Sequence, residues 1–199
     1  MKTQPFSKPL LQVLLFTAPL LFSSCLKYDP YLYTVSDIKL FNADNSGNSG
    51  PITDSSGTVN ARAYAMQIQF TTYISGREGH IVPEESGFAL QNKTTDFNIY
   101  SSTDFDGSHP AGTSLNDLFL YAGHDGTASA QTTVANGLAN QYLFYAYAPN
   151  GNDTDKPWTT DLYILLMKPP ASMGYRTFIL HVAFANNTQF TDSIAVTLR

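Results

Sequence analysis

A single cysteine, Cys25, serves the whole chain of 199 residues. No disulfide can form within it, and no set of thiolates can hold a metal. Charge is sparse as well, Asp, Glu, Lys and Arg together making up 14% of the residues. The basic ones stand apart and form no Lys/Arg cluster able to neutralise phosphates, which excludes a nucleic-acid partner. Catalytic signatures are missing too: there is no Gly-x-Ser-x-Gly elbow, phosphate-binding loop or dinucleotide fingerprint. The one apolar run of any length, Leu10 to Phe22, contains Pro19 and falls short of the roughly 20 residues that a membrane-spanning helix needs. We therefore expect no enzyme, no cofactor and no metal site.

What that run does provide is a secretory signal. Lys2 and Lys8, with no acid among the first nine residues, precede the apolar stretch, which small Ser23 and Ser24 close just before Cys25. The segment Phe22-Ser23-Ser24-Cys25 resembles a bacterial lipobox, in which the signal is cut before the cysteine and the new N-terminal cysteine carries palmitate-type acyl chains. Each buried CH₂ of such chains adds about 0.8 kcal/mol to membrane binding. The expected organisation is a signal peptide over 1–24, a lipidated tether over 25–32 and a single domain over 33–199. Cleavage takes Lys2 and Lys8 from the 11 basic residues and leaves 16 acids, for a net charge of −7.

Beyond the tether the apolar period is 2. Tyr64, Met66, Ile68, Phe70, Thr72 and Ile74 alternate with polar Gln67, Gln69 and Thr71, the pattern of a half-buried antiparallel strand. Phe178, Leu180, Val182 and Phe184 repeat it, as do Ile194, Val196 and Leu198. Ala185-Asn186-Asn187-Thr188 between them suits a tight turn, so 175–198 reads as a closing hairpin. Further strands are expected over 34–41, 87–91, 96–102, 141–148 and 161–168. Seven or eight strands with Gly-, Asn-, Asp- and Pro-rich connections predict an all-β, immunoglobulin-like antiparallel β-sandwich. One short helix is expected over Leu115 to Tyr121, with Ser114 as N-cap and Asp117 three residues on.

The signal, the aromatic tether and the block Ser101-Ser102-Thr103-Asp104-Phe105-Asp106-Gly107, followed by Pro110-Ala111-Gly112-Thr113-Ser114-Leu115-Asn116-Asp117-Leu118-Phe119, are similar to an uncharacterised family of Bacteroidetes lipoproteins. That resemblance implies an outer-membrane envelope protein with a β-rich fold and carries no catalytic residues. Asp29 is the one acid close behind Cys25, which leaves open whether the protein faces the periplasm or the cell surface. Asp192-Ser193-Ile194 resembles the Asp-Ser/Thr-apolar acceptor of O-glycosylation in exported proteins of that phylum, which makes Ser193 a candidate modification site.

Candidate chemistry is thin elsewhere. Asp104-Phe105-Asp106-Gly107 has carboxylates at alternating positions but lacks the remainder of a calcium loop, and it reads as a turn. Asn150 to Asp155 is a second acidic loop of the same kind, and His80 with Glu84 and Glu85 reads as a polar hairpin loop because Pro83 bars a helix. His181 alternates with the apolar face of its strand and is expected to point outward. The aromatic surplus is the stronger signal. The segments 141–148 and 161–168 are apolar on both faces, and a sheet with two apolar faces must cover the second. Tyr145, Tyr147 and Tyr163, with Trp158 at the rim, are the candidate surface, suited to an envelope protein or a glycan because Tyr joins rigid apolar area to a polar tip.

Overall fold

The structure, a computed structural model, describes residues 31–47, 50–77, 88–122, 133–134 and 157–199. Ten strands run through them: β1 (Tyr31–Asp44), β2 (Ile52–Thr53), β3 (Thr58–Val59), β4 (Tyr64–Arg77), β5 (Phe88–Leu90), β6 (Thr94–Ser101), β7 (Phe119–Tyr121), β8 (Trp158–Leu166), β9 (Gly174–Phe184) and β10 (Gln189–Leu198). They make an all-β sandwich. One sheet has the order β2-β1-β4-β8-β7, with β5 added beside β1, and the other has the order β3-β10-β9-β6. β1 starts at Tyr31, within the stretch read as tether.

Alternation builds the core. Met66, Ile68 and Phe70 on β4, Leu162 and Ile164 on β8, Phe97 and Ile99 on β6 and Phe178, Leu180 and Val182 on β9 all turn inward and are buried. On β1 the inward set changes parity, from Tyr33 and Val35 to Ile38, Leu40 and Asn42. A bulge permits this: the register with β4 shifts between Val35 and Asp37, and the intervening Ser36 is exposed and donates its hydroxyl to Thr71 O at 3.2 Å. Phe178 is the centre of an aromatic group. Tyr64 stacks on it at 5.2 Å between centroids, while Phe119 meets it edge-on at 5.9 Å.

The two sheets are joined along one side. β1 and β10 run in the same direction past each other, and the Leu40 N–H donates to Asp192 Oδ2 at 2.8 Å. Two residues further along β1, Asn42 Nδ2 donates to Ala195 O at 2.9 Å, while its Oδ1 accepts from the Tyr64 hydroxyl at 3.0 Å. A buried phenol thus has a partner, as burial demands, and burial drives its pKa well above the ordinary value.

The closing hairpin forms where expected. Asn187 adopts φ 66, a left-handed conformation that Asn tolerates, and Phe184 N–H donates to Thr188 O at 2.9 Å. Two expectations are corrected. No helix spans Leu115 to Tyr121: Asn116–Leu118 form one 3-10 turn without a side-chain cap, and Phe119–Tyr121 are the strand β7. Seven residues are too few to sustain a helix alone, whereas Leu166, Leu165 and Ile164 on β8 offer ladder partners. Ser114 is accordingly no N-cap and donates to Asn98 Oδ1 at 3.1 Å. The face of β4 expected to be polar and wet is covered at one end. Ala65 and Gln67 are buried, and Gln67 Oε1 accepts from Thr53 on β2 at 2.6 Å.

Strand direction gives the domain two distinct ends. The near end holds Tyr31, the start of β6 and the 185–188 turn; the far end holds Asp44, the loop 102–118, the loop 167–173 and Arg199.

Candidate functional site

The most built surface among the described residues is the pair of far-end loops, and it begins with a short acidic turn. Asp106 Oδ1 accepts from the backbone N–H groups of Ser108 and His109 at 2.9 and 3.0 Å, and Asp104 Oδ1 accepts from Ala111 N–H at 2.8 Å. Short Asp side chains closing on backbone two to seven residues ahead are what shape this loop. Gly112, at φ 77, turns the chain back so that its N–H reaches Ser101 O at 3.0 Å. The carboxylates of Asp104 and Asp106 are therefore engaged with the loop itself.

Charge is then concentrated on one ring. His109 Nδ1 lies 2.8 Å from Asp106 Oδ1, and its Nε2 lies 3.2 Å from Asp117 Oδ2. From the other loop, Lys168 Nζ reaches Asp106 Oδ2 at 2.7 Å. Lys168, His109 and the Ser108 N–H hold the Asp106 carboxyl well below the usual carboxylate range. The hydrogen bond with Asp106 raises the His109 pKa, burial opposes this, and Asp117 adds to the rise. Backbone contacts reinforce the pairing of the loops, with Ala171 N–H on Phe105 O and Met167 N–H on Leu118 O, each at 2.9 Å.

Beneath the loops lies Arg176, 2% exposed. Its guanidinium sits 5.2 Å from the centroid of the Phe105 ring, and its Nη2 donates to Ser172 O at 2.6 Å. Nε and Nη1 find no hydrogen-bond partner among the described residues, and burial lowers its pKa. At the flank, Asn116 replaces a strand: its Oδ1 accepts from Ile99 N–H at 3.0 Å and its Nδ2 donates to Phe97 O at 2.6 Å, with Leu115 N–H on Ile99 O. The open edge of β6 is thereby closed. Around this polar centre Met167, Met173 and Tyr175 remain exposed at 45, 53 and 69%.

The residues singled out from sequence are dispersed. Cys25, Tyr145, Tyr147, His80 and the Asn150–Asp155 loop lie outside the described residues. Trp158 and Tyr163 stand five positions apart on β8 and so face opposite sides of the sheet. Trp158 leans toward the sandwich interior, where its ring meets Tyr33 at 6.3 Å; Tyr163 is half-buried on the outer face, in register with Gln67. Burial and the Asp161 charge raise the Tyr163 pKa. Ser193 is exposed on the outer face of β10, opposite Ile179. His181 is half-buried on the outer face, with Nδ1 3.1 Å from Thr191 Oγ1.

Sequence reading passed over His109, Lys168 and Arg176. The spacing Asp106-x-x-His109 is visible in the chain, but the contact with Lys168 spans 62 positions and has no local signature. Among the described residues no group of three His, Cys, Asp or Glu side chains is disposed to hold a metal ion. Comparison with known proteins adds no relative. No family model, curated protein or solved structure matches the chain.

Proposed function

We propose that this protein is a non-catalytic module of the bacterial cell envelope, anchored in the outer membrane through lipidated Cys25, whose far-end loops engage a partner protein. The polarity of the domain carries this reading. A chain held at Cys25 enters the sandwich at the near end, while the paired loops 102–118 and 167–173 lie at the other. β1 alone has 14 residues, about 45 Å at the usual strand rise, so the loops stand well clear of an anchored end. Exposed Met167, Met173 and Tyr175 around the charged cluster supply side chains of the kind enriched at protein interfaces.

The non-catalytic part of the reading is supported by the use made of the charged groups. Asp106, His109, Asp117 and Lys168 satisfy one another and the loop backbone, and both ring nitrogens of His109 face carboxylates. With the ring protonated between the two carboxylates, neither nitrogen offers a lone pair to a substrate. We also infer an immunoglobulin-like chain path. It is supported by the order β1-β4-β8-β7 in one sheet and β10-β9-β6 in the other, the seven-strand arrangement of constant-type immunoglobulin domains with β2, β3 and β5 as additions. Kinship with uncharacterised Bacteroidetes envelope lipoproteins is proposed on the Ser101-to-Phe119 block and the lipobox.

The alternative is glycan binding. With Trp158 and Tyr163 on opposite faces of β8, a platform would have to join Tyr163 to Tyr145 and Tyr147 alone, and a glycan array on the mature protein tests that. Replacing the anchor tests the first reading: Cys25→Ala should move the protein from the membrane to the soluble fraction and remove the acyl mass. An unchanged membrane fraction would dispose of the lipid anchor.

A further inference from the structure

We propose that His109 is a proton-operated latch which, when protonated, ties the 3-10 turn at Asn116–Leu118 to the acidic turn at 104–109, and which releases Asp117 when the proton leaves. The geometry of the ring carries this. A neutral imidazole has one N–H donor and one bare lone pair, whereas the imidazolium has two donors. His109 presents Nδ1 to Asp106 at 2.8 Å and Nε2 to Asp117 at 3.2 Å, and both partners are carboxylates. A neutral ring would aim a lone pair at one of two anionic oxygens. Only the doubly protonated ring satisfies both.

The two contacts are unequal, and this fixes the order of release. The Asp106 side chain is 11% exposed and is also held by Lys168 and two backbone N–H groups, while the Asp117 side chain is 60% exposed. The proton therefore leaves from Nε2 to solvent, the Nδ1–H to Asp106 bond is kept, and the bare Nε2 repels the Asp117 carboxylate. The charged groups that face the ring are Asp106 from its own turn and Asp117 from the 3-10 turn; Lys168 from the 167–173 loop acts through Asp106. With the ring protonated, two cations and two anions cancel. After deprotonation the cluster carries one net negative charge, and the Asp117 arm is free at the far end.

Linkage gives the sign. The pKa of His109 is raised in the folded protein, so the latch contributes fully below the ordinary histidine value of about 6.5 and is lost as pH rises through the higher folded value. The Asp106 carboxyl is depressed, so its contribution stands above about pH 4 and is lost only in strong acid. The latch is thus fastened from mildly acidic conditions up to the His109 midpoint. Its existence rests on the ring geometry alone; its effect on partner engagement rests on the reading of the far end proposed above.

Nuclear magnetic resonance titration of the mature protein tests it. His109 should titrate above the ordinary value, the amides of 116–118 should shift with the same midpoint, and Asp117→Asn should lower that midpoint and uncouple those amides. Asp117 is exposed enough for that variant to fold. A His109 midpoint at or below the ordinary value, one unmoved by Asp117→Asn, or 116–118 amides that ignore it would each overturn the latch. Absence of crosslinks from Met173 and Tyr175 with the titration intact would instead count against partner engagement by the far end and leave the latch standing.

Discussion

Phe178→Ala should lower the stability of the domain by about 3–5 kcal/mol, the usual cost of emptying an aromatic site in a packed core. Phe178 is fully buried, and three rings surround it: Tyr64 at 5.2 Å, Phe119 at 5.9 Å and Phe105 at 6.5 Å. Each belongs to a different segment, so the surroundings cannot collapse onto the void without moving β4, β7 and the far-end loop together. Stacked and edge-on ring pairs add about 0.5–1.5 kcal/mol beyond their buried area. For a domain of this size each kcal/mol corresponds to about 2–4 °C in Tm, so the melting temperature should fall by roughly 10 °C. Phe178→Leu keeps most of the volume and should cost clearly less. Urea unfolding checks both, and a loss under about 1 kcal/mol for the Ala variant would mean that the aromatic group is not the centre of the core.

Asn116→Ala should cost about 2–4 kcal/mol, because each buried polar group left without a partner costs about 1–3 kcal/mol. The side chain is 8% exposed, and its amide stands where a neighbouring strand would. Its removal orphans the Ile99 N–H and the Phe97 carbonyl together. Asn116→Asp retains the acceptor for Ile99 but sets a carboxylate oxygen against Phe97 O, so it should rescue little. Amide exchange gives the local readout: Ile99 N–H should lose protection in the Ala variant before the core of β9 does. Unchanged protection at Ile99 would show that the edge of β6 is closed by other means.

How much of this was legible in the chain depends on the range of the interaction. Period-2 alternation located β4, β9 and β10, because burial of one sheet face leaves a local mark on sequence, while β8 was read from a short run apolar on both faces. The 185–188 turn was legible for the same reason, since the left-handed residue it needs is written as Asn187. The supposed helix at Leu115 to Tyr121 failed because β7 exists only through pairing with β8, more than 40 positions downstream, and three extended residues have no periodicity of their own. The bulge at Ser36 was invisible, as it reveals itself only in the change of inward parity between Val35 and Ile38. The far-end site was the least legible. Asp104 and Asp106 were recognised as turn residues, but Lys168 joins them only when the two loops that cross between the sheets meet, Asp117 only when its own loop folds back on His109, and Arg176 only from β9 beneath. The aromatic surface shows the converse. Trp158 and Tyr163 seemed companions by composition, yet an odd spacing on one strand sends them to opposite faces.

The claim that joins these observations is that the far end of an anchored sandwich meets the partner. A photo-crosslinking residue placed at Met173 or Tyr175, in the lipid-anchored protein in intact cells, tests it against the same residue placed at Asn186 in the near-end turn. The account predicts adducts of one defined size from Met173 and Tyr175 and none from Asn186. Adducts from Asn186 alone, with the far-end positions silent while the protein remains in the membrane fraction, would contradict it.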